Sequence, residues 1–255
     1  MIRFFRNLRQ NALQSGNRGK YLKYAIGEIV LVVIGILIAL QINKWDENIK
    51  ANNEEKAILN RLQQELSNNA EGIQNAIEKH EEIADDLSKM LPLLGPNTQL
   101  PNEDSATFKE GITEMLNAYY FNPQTSVRKT INITGKIGLI KDQNLQFLIS
   151  EITAAEEAYL ATTGLTTNYL QNNIVPYLNS RILIMNSTAA IPTITEDFEG
   201  KQSTFTNDSY RVLSEYEFEN MLSAKILLAK QSANAATEIA DLYSECIAKI
   251  RETLN

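Results

Sequence analysis

Apolar and polar positions follow three different patterns along this chain. Residues 24–42, YAIGEIVLVVIGILIALQI, are apolar almost throughout, and Ile29–Leu40 hold no polar side chain. From Ile58 onward apolar residues recur at 3-4 spacing. Leu59, Leu66, Ile73, His80, Leu87 and Leu94 fit one seam position, and Leu62, Asn69, Ala76, Ile83 and Met90 fit the other. Ile58, Ile77, Ala84 and Leu91 widen that stripe beyond a two-stranded seam, so a helical bundle is expected rather than an isolated coiled coil. Residues 186–207 have neither pattern and read as a Ser/Thr/Asn-rich loop with room for a short strand.

The remaining elements follow from breakers and caps. Pro92, Gly95, Pro96 and Pro101 end the first long helix. Asp104 or Ser105 can cap a second, carrying Phe108, Ile112, Met115, Leu116 and Tyr119, which Asn122-Pro123 stops. A short helix over about 125–134 ends at Gly135. Asp142 caps a long helix through Leu145, Leu148, Ile149, Ile152, Tyr159, Tyr169 and Leu170, which Pro176 should kink or break near Ile174–Val175. The last helix runs from about Tyr216 to Thr253, with Phe218, Met221, Leu228, Ile239, Leu242, Cys246 and Ile250 in its seam. The expected fold class is all-α: a single N-terminal transmembrane helix followed by an extracytoplasmic antiparallel bundle of long helices.

As a helix, residues 24–42 would rise about 28 Å, close to the thickness of a bilayer's hydrocarbon core. Tyr21 and Tyr24 at one end and Trp45, the only tryptophan, at the other form an interfacial aromatic arrangement. No A-x-A-like cleavage site follows the run, which therefore reads as an uncleaved anchor. Of 24 basic and 31 acidic residues, six bases (Arg3, Arg6, Arg9, Arg18, Lys20, Lys23) precede the run and one acid lies in it. That leaves 18 against 30, a net charge of −12, after it. The positive-inside rule then puts residues 1–23 in the cytoplasm and residues 43–255 across the membrane. Residues 1–13 can form a basic amphipathic helix on the inner leaflet with Phe4 and Phe5 at the acyl boundary, or remain a basic tail. The acidic body excludes nucleic acid as its partner.

Glu28 lies one turn inside the span, where a carboxylate costs energy unless it reaches the interface or a partner. Two readings stay open: it snorkels toward Lys23, or it faces another membrane helix or a proton path. Gly27, Gly35 and Ala39 share a slowly drifting stripe, and Gly35-xxx-Ala39 is a small-xxx-small pair that lets helix backbones approach in lipid.

The stretch KYLKYAIGEIVLVVIGILIALQINKWDE, residues 20–47, resembles the N-terminal signature of a family of uncharacterised single-pass bacterial inner-membrane proteins, a domain of unknown function found in Gram-negative bacteria. GKIGLIKDQNL (135–145) and EFENMLSAK (217–225) are similar to further segments of it. The resemblance implies inner-membrane anchoring and a periplasmic helical body. It supplies no activity and no catalytic residues.

The residues themselves point away from an enzyme. His80 is the only histidine, so no His-based metal cluster or triad can be built, and no cofactor is expected. His80 reads as a satisfied core histidine, with a pH-responsive seam as the alternative. The run Glu78–Glu82 with Asp85-Asp86, the pair Glu156-Glu157 and Glu215/Glu217/Glu219 read as solvated helix faces. Cys246, the only cysteine, reads as a buried thiol, with an intermolecular bridge as the sharper alternative. The expected role is a membrane-anchored periplasmic interaction or scaffold module, binding a protein partner or a second copy through the membrane helix and the 58–91 helix. The alternatives are an accessory subunit of a proton-driven complex using Glu28, and a periplasmic ligand sensor.

Overall fold

The structure, a computed structural model, describes residues 18–96, 105–187, 203–205 and 208–254. It divides into two units, Met1–Ala57 and Ile58–Asn255. Among the described residues every regular element is helical: α1 (Arg18–Ser88), α2 (Ser105–Leu116), α3 (Ser126–Ile133), α4 (Gln143–Tyr169), α5 (Val175–Arg181), α6 (Ile184–Ser187) and α7 (Tyr216–Leu254), with short 3-10 turns between some of them.

In the first unit α1 carries the apolar run. The helix is long and apolar enough to cross a membrane, and none of its most apolar window is buried. Side chains on every face of residues 29–42 are exposed, among them Ile29, Val33, Leu37 and Leu40. Water would make that exposure costly at roughly 25 cal/mol per Å². Phe4 and Phe5 lie outside the described residues, and of Tyr21 and Tyr24 only the helical backbone is described.

The second unit holds two apolar cores. The first joins Leu59, Leu62, Leu66 and Ile73 of α1 to Leu145, Ile149 and Ile152 of α4 and Ile239, Cys246 and Ile250 of α7. The second joins Ile83 and Leu87 of α1, and Met90 just past it, to Phe108, Ile112 and Met115 of α2, Ile174 and Leu178, and Phe218 and Leu222 of α7. The 58–91 seam is nearly as the 3-4 spacing requires. Every seam residue from Leu59 to Met90 is buried, polar Asn69 and His80 included. Leu91 departs from the pattern at 43% exposed, because α1 ends at Ser88 and the following 3-10 turn rotates it outward.

Local chemistry explains the boundaries. Asp142 Oδ1 accepts from the N–H groups of Asn144 (2.9 Å) and Leu145 (3.3 Å), capping α4. Gly135, at φ +69°, turns the chain after α3 into the left-handed region that glycine tolerates. Pro176 does not break its helix. A π-helical stretch at Leu170–Ile174, closed by Val175 N–H donating to Leu170 O, widens the turn below the proline ring, and the helix resumes as α5 to Arg181. The second helix stops at Leu116, before Asn122-Pro123. Residues 117–125 then run as a non-helical strap to α3.

Candidate functional site

The second unit concentrates its buried polar chemistry in two places, and both are tied to the 117–125 strap. The first centres on Arg128, in the first turn of α3 and 2% exposed. Its Nε donates to Glu65 Oε1 of α1 at 3.0 Å. Nη1 and Nη2 donate to the two carboxylate oxygens of Glu156 of α4, at 2.9 and 2.8 Å. Nη2 also donates to the Gln124 carbonyl at 2.9 Å. Tyr243 of α7 donates its hydroxyl proton to Glu156 Oε1. Glu65 Oε2 accepts from Val127 N–H at 2.6 Å and from Ser126 Oγ at 3.3 Å, so a carboxylate from another helix serves as the N-terminal cap of α3. Asn69 completes the site by exchanging two hydrogen bonds with the Gln124 backbone, at 2.8 and 2.9 Å.

Two carboxylates thus face one guanidinium, and the helix N-terminus and the Tyr243 hydroxyl supply the remaining donors. Burial opposes the Arg128 charge, but the hydrogen bond and charge of Glu156, joined by Glu65, hold its pKa above the ordinary arginine value. Burial and the Glu156 charge push Tyr243 upward as well. Every member is satisfied, which is the condition under which a buried ionic network holds a bundle in one arrangement. Beside it lies a cleft of about 190 Å³ whose lining includes Asn122, Pro123, Lys129, Asn132, Glu157 and Leu160, with Arg128 and Glu156 at its wall.

The second place is a polar layer between the two apolar cores. His80 of α1 is 3% exposed, with Nε2 3.0 Å from Tyr159 Oη of α4. That oxygen accepts from Phe121 N–H at 3.0 Å. A neutral imidazole with its hydrogen on Nδ1 accepts the Tyr159 proton at Nε2, whereas one with its hydrogen on Nε2 donates to the same oxygen. Tyr119 and Tyr159 meet the His80 ring edge-on, with centroids 5.7 and 5.9 Å away. Lys225 of α7 is 1% exposed and donates to the Asn117 carbonyl just past α2 at 2.5 Å. Burial, then the Lys225 charge, lowers His80 to about 4. Burial lowers Lys225 to about 8, against an opposing pull from Glu114.

The solvated-face reading holds for Glu78, Glu81, Glu82 and Glu157 and is corrected for Glu156, which is 3% exposed inside the network. The signal was its spacing. Ile149, Ile152, Glu156, Tyr159 and Thr163 are buried at 3-4-3-4 intervals, so Glu156 occupies a seam position of α4. Lys225 has the same signature in α7, where Phe218, Leu222, Lys225, Ala229, Ser232, Ala236, Ile239, Tyr243, Cys246 and Ile250 form one buried 4-3 series. Glu65 keeps the same period in α1, where Ile58, Leu62, Glu65 and Asn69 are buried at 4-3-4 intervals, while Arg128 had no such sign. The Cys246 thiol is buried and free, and desolvation pushes it up to about 12, which fits the inert reading.

The residues singled out in and beside the apolar run belong to the first unit. Gly27 and Gly35 have open space where a side chain would go. Trp45 is 68% exposed and Glu28 half-buried. Among the described residues no group of three or more His, Cys, Asp and Glu side chains could hold a metal ion.

A family model described as a family of unknown function (DUF6090) matches residues 28–164, slightly more than half of the chain. The matched stretch contains Glu65, His80, Arg128, Glu156 and Tyr159 and ends before the helix that supplies Lys225 and Tyr243. Nothing matches among curated proteins or among solved structures.

Proposed function

The chain belongs to this family of unknown function, DUF6090, and we propose that it acts as a membrane-anchored helical interaction module. The observation that carries the reading is the apolar stretch of α1, exposed on every face, next in sequence to a unit with its own two cores. A bilayer is the surrounding that suits such a helix. The bases before it support an orientation with the N-terminus in the cytoplasm and the body in the periplasm. The body is a bundle in which α7 runs against α4. Support comes from Asp142–Lys249 and Glu156–Tyr243 along α4, continued by Tyr177–Phe218 and Arg181–Glu215 at α5, since the first numbers rise as the second fall. A protein partner, or a second copy, engages the membrane helix and the 58–91 helix.

The experiment is to tag the C-terminus, extract native membranes in mild detergent and determine what co-purifies and at what mass. A discrete oligomer or a stoichiometric partner supports the module. A strict monomer with nothing bound overturns it. The carboxylate of Glu28 inside an otherwise apolar stretch favours a second reading, a subunit of a proton-driven membrane complex. There, Glu28→Gln abolishes function while insertion stays normal, and a variant that behaves as wild type ends that reading.

A further inference from the structure

The strap 117–125 crosses the second unit between α2 and α3 and is tied at nearly every other residue. Asn117 O accepts from Lys225, and the Tyr119 ring meets His80. Phe121 N–H donates to Tyr159, while the Phe121 ring packs so closely on Gly72 of α1 that a Cβ there would lie 2.2 Å from it. Gln124 is held by Asn69 and Arg128. The lower ties belong to the fully satisfied ionic network. The upper ties pass through His80 and Lys225, two groups that can both be cations within one buried layer. From this geometry we infer that the strap is an acid-released latch, and that protonation of His80 releases its 117–121 end.

The atoms explain the step. The latch rests on the Nδ1–H tautomer of neutral His80: in the closed state Tyr159 Oη accepts from Phe121 N–H, and its own proton goes to His80 Nε2, 3.0 Å away. A proton taken up at Nε2 turns that acceptor into a donor. The Tyr159 hydroxyl proton then has no acceptor at His80, and Phe121 N–H competes with the imidazolium for the same oxygen. A second positive charge also arises beside Lys225, where burial gives the repulsion little screening. The other ionisable groups around the layer are Tyr119, Tyr159, Lys79 of α1, which feels Glu114 and Tyr119, and Glu114 of α2. Glu114 faces Lys225 and feels Glu82 and Asp86 of α1. Burial raises Glu114, so acid also removes the counter-charge of Lys225 and works in the same direction. With His80 lowered to about 4, the latch is shut at neutral pH and opens only under marked acidification.

The test is amide hydrogen exchange on the full chain in detergent micelles at about pH 6 and about pH 3.5, corrected for intrinsic exchange rates. In the wild type the peptide spanning 117–125 should lose protection by about tenfold or more on acidification, while peptides from residues 145–160 keep theirs. His80→Gln, whose amide oxygen can still accept from Tyr159, should hold the strap protected at both pH values. Glu114→Gln should still release it. Tyr159→Phe removes both bonds and should leave the strap unprotected at neutral pH, an arm that stands even where His80→Gln disturbs folding. The inference is overturned by pH-independent protection in the wild type, by acid release that persists in His80→Gln, by loss of protection everywhere at once, by loss of release in Glu114→Gln, or by a Tyr159→Phe strap that stays protected.

Discussion

Arg128 grips Glu156 through two near-parallel N–H donations of 2.9 and 2.8 Å, with both side chains almost wholly withdrawn from solvent. One residue of a short helix thereby fastens α4, and through Glu65 and Tyr243 also α1 and α7. A buried pair of this kind has a lopsided energy. Replacing the whole group by apolar side chains can be close to neutral, but removing one member strands the others in a low-dielectric interior.

Arg128→Met should therefore destabilise the second unit by about 3–5 kcal/mol, since it leaves Glu65 and Glu156 facing each other without a cation. Adding Glu156→Met should recover part of that loss. Denaturant titration of the full chain in detergent, followed by circular dichroism, measures both. Additive losses in the double variant would mean that the two residues do not act as a unit.

Gly72→Ala sets two effects against each other. Alanine gains about 1 kcal/mol of helix propensity in α1. Its Cβ would lie 2.2 Å from Phe121 Cε2, so the ring must move. Phe121 is fixed by its own backbone bond to Tyr159, so the clash should win by about 1–3 kcal/mol. Gly111→Ala meets the same conflict, 1.8 Å from the sulfur of fully buried Met90. A lower thermal midpoint for each variant is the expected result, and a rise would show that the strap or Met90 yields freely.

How much of this was legible depended on whether a pattern is local. The seam of α1, the Asp142 cap and the Gly135 stop were readable because spacing and capping are properties of neighbouring residues. Pro176 was read as a kink or a break because the π-helical stretch that absorbs it leaves no sequence mark. Glu156 and Lys225 kept the seam period, but their charge argued for solvent, and only a partner distant in sequence reverses that argument. For Glu65 and Arg128, 63 residues apart, nothing local announces the pairing.

The polar layer predicts two windows of pH-dependent stability. His80 binds its proton less readily in the folded chain, at about 4 against an ordinary 6.5. Between those values the unfolded chain holds more protons, so stability rises with pH across the window, by up to about 3 kcal/mol. Lys225, at about 8 against 10.5, adds a second rise between those values, as its buried ammonium gives up its charge. Denaturation midpoints from acid to alkaline pH should show both slopes. His80→Gln should flatten the first and Lys225→Met the second. A Lys225→Met variant that retains the alkaline slope would assign it to another group.

Gly35 offers the sharpest division between the membrane helix and the body as the contact surface. A leucine there meets nothing in the single chain, because open space surrounds the position. Gly35→Leu should therefore leave folding and insertion intact, and the added side chain keeps the stretch apolar. A second helix approaching through Gly35 and Ala39 would be forced outward, losing the close backbone contact that holds such pairs together. The expected result is self-association weakened by about tenfold, corresponding to 1–2 kcal/mol of helix contact, read as a fall in mass by light scattering across a detergent dilution series. An unchanged mass would move the contact to the 58–91 helix. There, the exposed acids Glu78, Glu81 and Glu82 beside the buried seam would call for a basic partner surface rather than a second copy of the same acidic face.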